Sequence, residues 1–289
     1  MLKTNTLLSL LLCLFLTTGL LPACQSAPSD ERPLVTATIE PVRFVIEQIV
    51  GDYYRVQTLM PQGASPETYE PTPRQMMELN GSQALFRVGT LGFEQTKLPQ
   101  LVKNTPQLPF VTLGRAVKPL VDLHHVHEGG SSIDPHVWMS PANLKLMAEE
   151  VCRVMQRLDS LHASAYRQRL ERFQQQMDSL DYDLRQATLK LPQRAFLIYH
   201  PALGYFARDY GLEQLAIESN GKEPSVAGLQ LLINRCKAKQ VSHVFISAEH
   251  KGEAAKRLAE ALHTQPTVIN PLAYEVPEQL RFIAKELSR

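Results

Sequence analysis

Five side chains fall where a folded chain could bring them to one point: Glu67, His136, His200, Glu249 and Asn270. His200 comes directly after Ala195-Phe-Leu-Ile-Tyr199 and before Pro201. Glu249 stands two residues past Ser247, and Asn270 ends Thr267-Val-Ile before Pro271. Glu67 lies between Pro66 and the prolines Pro71 and Pro73; His136 lies between Pro135 and Trp138, the lone tryptophan. Ligands of open α/β sheets collect beyond the carboxyl ends of the strands, and four of these positions follow β-rich runs. Imidazole nitrogen and carboxylate or amide oxygen are donors that a divalent first-row metal takes at about 2.0–2.2 Å. The neighbouring prolines remove backbone freedom that a ligand would otherwise lose on binding. Two histidines with Glu67 and either Asn270 or Glu249 lie between the nitrogen-rich sets that suit zinc and the oxygen-rich ones that suit manganese or ferrous iron.

The same donors could serve a metal-dependent hydrolase, which needs a carboxylate beside the ion but off it; Glu249, if not a ligand, is the candidate base. No HExxH, GxSxG, phosphate-binding loop or GxGxxG accompanies them. A surface adhesin with incidental metal is the other alternative, and it predicts that ligand substitutions leave function intact.

Positioning such groups requires strands, and the chain supplies them in alternation with helices. Strands are expected at 34–39, 53–60, 84–88 and 110–113, with helices at 42–50, 74–80 and 93–103. Between 141 and 191 β-rich runs vanish and glycine is absent. Leu170, Phe173, Met177, Leu180 and Leu184 recur there at helical spacing. Residues 163–189 predict one helix of about 40 Å at 1.5 Å per residue. Alternation then returns, with strands at 195–199, 214–217, 243–247 and 267–269 and helices at 202–210, 226–238, 253–263 and 276–287. The fold class is therefore α/β: two lobes, each with a mostly parallel sheet of about four strands, joined by one long rigid helix. The expected boundaries are 34–158 for the first lobe, 159–191 for the linking helix and 192–289 for the second lobe. Glu67 and His136 belong to one lobe, and His200, Glu249 and Asn270 to the other. They can meet only in the crevice between the lobes, around a single ion.

At 289 residues with 44% apolar and 20% charged content, the chain has the composition of a globular protein of two lobes. Lys3 is the only charge before Cys24, so the chain from Cys24 onward carries 29 basic and 29 acidic residues. That balance gives no electrostatic footprint for nucleic acid. Lys3 and the Leu-rich run over 7–21 have the length of a signal-peptide core and are too short to span a bilayer. The run ends in Leu21-Pro22-Ala23-Cys24, which resembles a lipobox, although Pro22 is unusual there. Residues 1–23 are read as the signal peptide, Cys24 as the lipidation site and 24–33 as a polar tether to the outer face of a membrane. Cys152 and Cys236 are expected as unpaired helix-face thiols, with pairing in an oxidising compartment the alternative.

The chain resembles the zinc and manganese solute-binding lipoproteins of bacterial ABC importers, the ZnuA/TroA-like family, over nearly all of the mature sequence. The resemblance is carried by Gly63-Ala-Ser-Pro-Glu-Thr-Tyr-Glu-Pro-Thr-Pro73, Asp134-Pro-His-Val-Trp138, Tyr199-His-Pro-Ala-Leu-Gly-Tyr-Phe-Ala207, Gly221-Lys-Glu-Pro-Ser225 and Asn270-Pro-Leu-Ala273. It implies two lobes bridged by a helix with metal between them. It also implies no catalysis, one bound zinc ion with manganese or ferrous iron as alternatives, a monomer, and an ABC permease as partner on the periplasmic or cell-surface side of a membrane. His136 and His200 match two family ligands. Glu67 stands where the family usually has histidine, and Asn270 where it usually has aspartate, so Glu249 is the alternative fourth donor. His124, His125 and His127 match in position the histidine-rich loop of zinc-type members, implying an auxiliary collecting site; a solvated loop with incidental histidines is the alternative.

Overall fold

A computed structural model describes residues 30–121, 133–218, 222–247 and 253–289. Met1–Arg32 form one unit, in which the Arg32 guanidinium pairs with Asp30, and Pro33–Arg289 form the other. The leader, Cys24, the histidines at 124, 125 and 127, and Glu249 lie outside the described residues. Among the described residues no helix is long and apolar enough to cross a membrane.

The larger unit opens with β1 (Leu34–Ala37), α1 (Glu40–Val50), β2 (Arg55–Thr58), α2 (Pro73–Leu79), β3 (Ser82–Arg87), α3 (Gly92–Thr96), α4 (Leu98–Asn104) and β4 (Phe110–Thr112). The four strands form a parallel sheet in the order β2-β1-β3-β4. Helix α1 seats Val42, Val45, Ile46 and Ile49, all fully buried; their i, i+3, i+4, i+7 spacing makes one apolar stripe. The chain leaves α1 through Gly51 at φ 53° and ψ −135°, a conformation open to glycine, and the Arg169 guanidinium occupies the space a Cβ would need.

Next come α5 (Pro141–Leu158) and α6 (Ala163–Leu189). The second lobe contains β5 (Ala195–Ile198), α7 (Gly204–Tyr210), β6 (Glu213–Ala216), α8 (Val226–Ala238), β7 (Val244–Ser247), α9 (Glu253–Ala261), β8 (Pro266–Ile269) and α10 (Val276–Leu287). Its parallel sheet has the order β6-β5-β7-β8, the same permutation as the first. Strand order reverses beside β1 and β5, and the crevice at such a reversal is where α/β sheets take ligands.

Helix α6 links the lobes. Tyr166, Phe173, Met177, Leu180, Leu184 and Thr188 are buried along one stripe, and α6 packs against α1, α5 and α10. At its start, Asp159 accepts hydrogen bonds from Tyr166 (2.5 Å) and His162 (2.7 Å), and Tyr53 of the first lobe stacks on His162. Near its end, Asp181 accepts from Tyr210 of the second lobe at 2.9 Å.

Alternation along β5 settles which groups face which lobe. Ala195, Leu197 and Tyr199 point into a separate apolar cluster with Leu258 and Cys236, whereas Phe196 and Ile198 join the core shared with the first lobe. Cys152 and Cys236 are free thiols, both buried.

Two expected elements depart most from those that form. The strand expected at 53–60 is preceded by a 3-10 turn, Gly51–Tyr53, and spans only Arg55–Thr58. The helix expected at 93–103 is two, because Pro99 lacks the N–H that would continue α3 and sits in the first turn of α4. Between α5 and α6 the chain turns at Asp159, whose side chain accepts from the His162 N–H and starts a new turn.

Candidate metal site

Each candidate group is held by backbone chemistry written in its own motif. In the Gly63–Pro73 motif, Ser65 accepts from the Glu67 N–H at 3.3 Å, and the Pro66 carbonyl accepts from Phe93 N at 3.1 Å. Tyr69 donates to the Leu59 carbonyl at 2.8 Å, and Thr72 and Gln75 form a reciprocal capping box on α2. Glu67 is thus pinned on both sides.

The Asp134–Trp138 segment is tighter still. Asp134 Oδ1 accepts from the His136 backbone N–H and faces His136 Nδ1, both at 2.8 Å. Both residues are buried, Asp134 to 2% exposure and His136 to 6%. Tyr205 donates to the Asp134 carbonyl at 3.2 Å, and Gly204 lies so close that a Cβ there would meet Asp134 Oδ2 at 2.2 Å. Trp138, fully buried, donates its indole N–H across the crevice to the Pro271 carbonyl at 2.7 Å.

His200 follows β5 by two residues and keeps the parity of Phe196 and Ile198, which aims it at the first lobe. Its Nε2 lies 3.3 Å from His136 Nε2 and 3.6 Å from Glu67 Oε1. Donors around a tetrahedral ion at about 2.0–2.1 Å are separated by roughly 3.3–3.4 Å, so these spacings are close to those of an assembled coordination shell. His200 Nδ1 faces Glu218 Oε1 at 3.2 Å. A carboxylate thus stands at each Nδ1, and the two Nε2 atoms face the same point.

Burial works against a charged His200, but the Glu218 hydrogen bond and the charges of Glu67, Glu218 and Asp134 outweigh it. The imidazole pKa is held above its ordinary 6.5. Glu67, His200 and Glu218 also come near enough to suggest a chelate by themselves. Of the two His200 nitrogens, Glu218 meets Nδ1 and Glu67 meets Nε2.

The cavity at this point is lined by Glu67, His136, His200, Ile198 and Asn270 and has a volume of about 70 Å³. Small-molecule pockets run roughly 300–1,000 Å³, well above this volume. Asn270 stands in the wall, exposed, with its Oδ1 accepting from Leu272 N and its own N–H donating to Gln279, both at 3.0 Å. Of the five sequence candidates, the fold brings Glu67, His136 and His200 together, and Asn270 lines the same cavity with its oxygen engaged in its own turn. Two partners went unrecognised in the sequence, Asp134 and Glu218. The parity that aims His200 inward also aims Glu218, two residues past β6, and applying it to every strand end would have found it.

The sequence profile of the family described as zinc-uptake complex component A, periplasmic (ZnuA), matches residues 35–285. The chain belongs to the ZnuA family. It is therefore a metal-binding solute-binding protein in type. A ZnuA-family relative, the high-affinity zinc uptake system protein ZnuA of Bacillus subtilis, is 26% identical over 250 residues, covering 82% of this chain and 78% of its own. A putative metal-binding protein of Chlamydia muridarum is 27% identical over 264 residues, covering 89% and 90%. Among solved structures, a ZnuA deletion mutant with zinc bound superposes with TM-score 0.83 at 31% identity, covering 89% of this chain and 97% of that one. The ZnuA likeness extends over both lobes and the helix between them, so the fold expected from periodicity and the family expected from motifs agree.

Proposed function

We propose that this chain captures one divalent transition-metal ion, zinc foremost and manganese or ferrous iron as alternatives, between Glu67, His136 and His200, and delivers it to an ABC import permease. It does so outside the cytoplasmic membrane as a monomer tethered through lipid on Cys24. One observation carries the reading: two Nε2 atoms from different lobes face each other at 3.3 Å, each ring backed by a buried carboxylate. Two imidazole lone pairs held that close repel unless a cation lies between them. Zinc stands first because the ZnuA family and the Bacillus subtilis relative are named for zinc uptake. Asn270 and Glu249 remain the alternatives for a further donor, and the 124, 125, 127 histidines an auxiliary collecting site.

Metal analysis of purified protein is expected to find one ion per chain, and calorimetric competition between zinc and manganese to rank them. Protein that comes up metal-free and binds neither ion would overturn the reading.

Acid should release the ion. A proton and a metal compete for His200 Nε2. In the metal-free protein the raised pKa means that protonation stabilises the fold fully below about 6.5, and that this contribution is lost as pH rises through the higher folded value. The ion replaces the proton on the alkaline side. Affinity is expected to fall by about tenfold per pH unit for each proton displaced, starting at a higher pH than for an ordinary histidine. Titration calorimetry from pH 8 to 5.5 checks this, and a pH-independent affinity would contradict it.

A further inference from the structure

Glu218 is a buried carboxylate with no role in the ligand set above. It is 5% exposed, and leaving such a group unpaired away from water is costly. Parallel strands deliver it to its place. Ile198 pairs with Ala216 in the β5–β6 ladder, and the Glu218 N–H donates to the Tyr199 carbonyl at 3.0 Å, so the paired run continues past both strand ends. Two residues on from that pair, His200 and Glu218 come side by side, facing the crevice. The carboxylate meets His200 at Nδ1, 3.2 Å away, while the other ring nitrogen, Nε2, meets His136 and Glu67. Asp134 stands to His136 as Glu218 stands to His200, although one partner is two residues away in sequence and the other eighteen. A second carboxylate, reached by a different route, repeats the same arrangement on the second ring.

We propose that Glu218 is a positioning residue for metal capture: its carboxylate holds the Nδ1 proton of His200, fixing the ring so that Nε2 presents its lone pair to the ion, and it does not bind the ion itself. The inference rests on the metal-capture reading above. The neutral ring has two tautomers, and only the one with hydrogen on Nδ1 can donate from Nε2 to a metal. Partners of this kind, one step behind a histidine ligand, typically contribute 10–100-fold to metal affinity.

The experiment compares Glu218→Gln and Glu218→Ala with the native chain in three measurements. Nitrogen-15 NMR of the imidazoles in metal-free protein reads the His200 tautomer. Zinc competition reads affinity, and the visible spectrum of cobalt-loaded protein reads the ligand set. The alanine variant is expected to show mixed tautomers and 10–100-fold weaker zinc. The glutamine variant, whose amide oxygen still accepts the Nδ1 proton, should recover the tautomer and most of the affinity, with the cobalt spectrum unchanged. A pure Nδ1–H tautomer and native affinity in the alanine variant would overturn the proposal. So would a cobalt spectrum in the glutamine variant altered as by loss of a donor, since Glu218 would then be a ligand. Because the tautomer is read without metal, these outcomes are separable from failure of the metal reading, which would appear as unchanged metal content when both histidines are replaced.

Discussion

Saturating zinc raises the melting temperature of the native chain and leaves that of His136→Ala and His200→Ala unmoved: this is the largest effect expected from the site. An ion present at a thousand times its dissociation constant stabilises the folded state by about 4 kcal/mol, which for a chain of this size is a shift on the order of 10 °C. Each substitution removes one of the two nitrogens that face each other at 3.3 Å and one wall of the cavity. With Glu67 and a single imidazole left, the remaining donors belong to one lobe in His200→Ala and are divided between both in His136→Ala. Neither arrangement closes around an ion. Differential scanning fluorimetry with and without zinc, backed by metal content after dialysis, measures this. A double variant that kept the full shift would refute the assignment of these ligands.

The second large effect is on stability. Trp138→Ala is expected to cost about 3–5 kcal/mol, the range for emptying an aromatic site in a core, because the indole is fully buried and ties the lobes through Pro271. Trp138→Phe keeps much of the volume and loses the N–H, leaving the partly buried Pro271 carbonyl without its donor, at about 1 kcal/mol. Urea unfolding separates the two, with the alanine variant falling further. Both variants should also bind metal less tightly, since Pro271 follows Asn270 in the cavity wall. An alanine variant as stable as the native chain would show that the indole contributes no net stability across the crevice.

How much of this was legible beforehand follows from the kind of signal each residue carries. Residues 163–189 were readable as one helix because their apolar side chains keep a 3.6-residue period over seven turns. His200 was readable from a strand end and a proline. Glu67 was readable from the prolines around it, although what fixes it, the Ser65 turn and the Thr72–Gln75 cap, is local hydrogen bonding that apolar periodicity does not report. Glu218 was missed because its meaning is its register with His200 across two strands, and register is a property of pairing. Asn270 was legible as a donor by type, yet its amide oxygen serves the Leu272 N–H. Which atom a side chain spends on its own loop is decided by backbone angles that composition does not specify. The single helix expected at 93–103 forms as two because Pro99 has no N–H with which to continue the first.

The helix running from His162 and Tyr53 at one end to Tyr210 at the other has a kinetic consequence. A stiff strut braced at both ends should let the two jaws breathe without gaping, so that a cation held as proposed would not escape through a wide swing. Its dwell time should then track the fraying of the rim segments near Pro66 and Pro271, and unloading would require an outside surface to pry those segments apart.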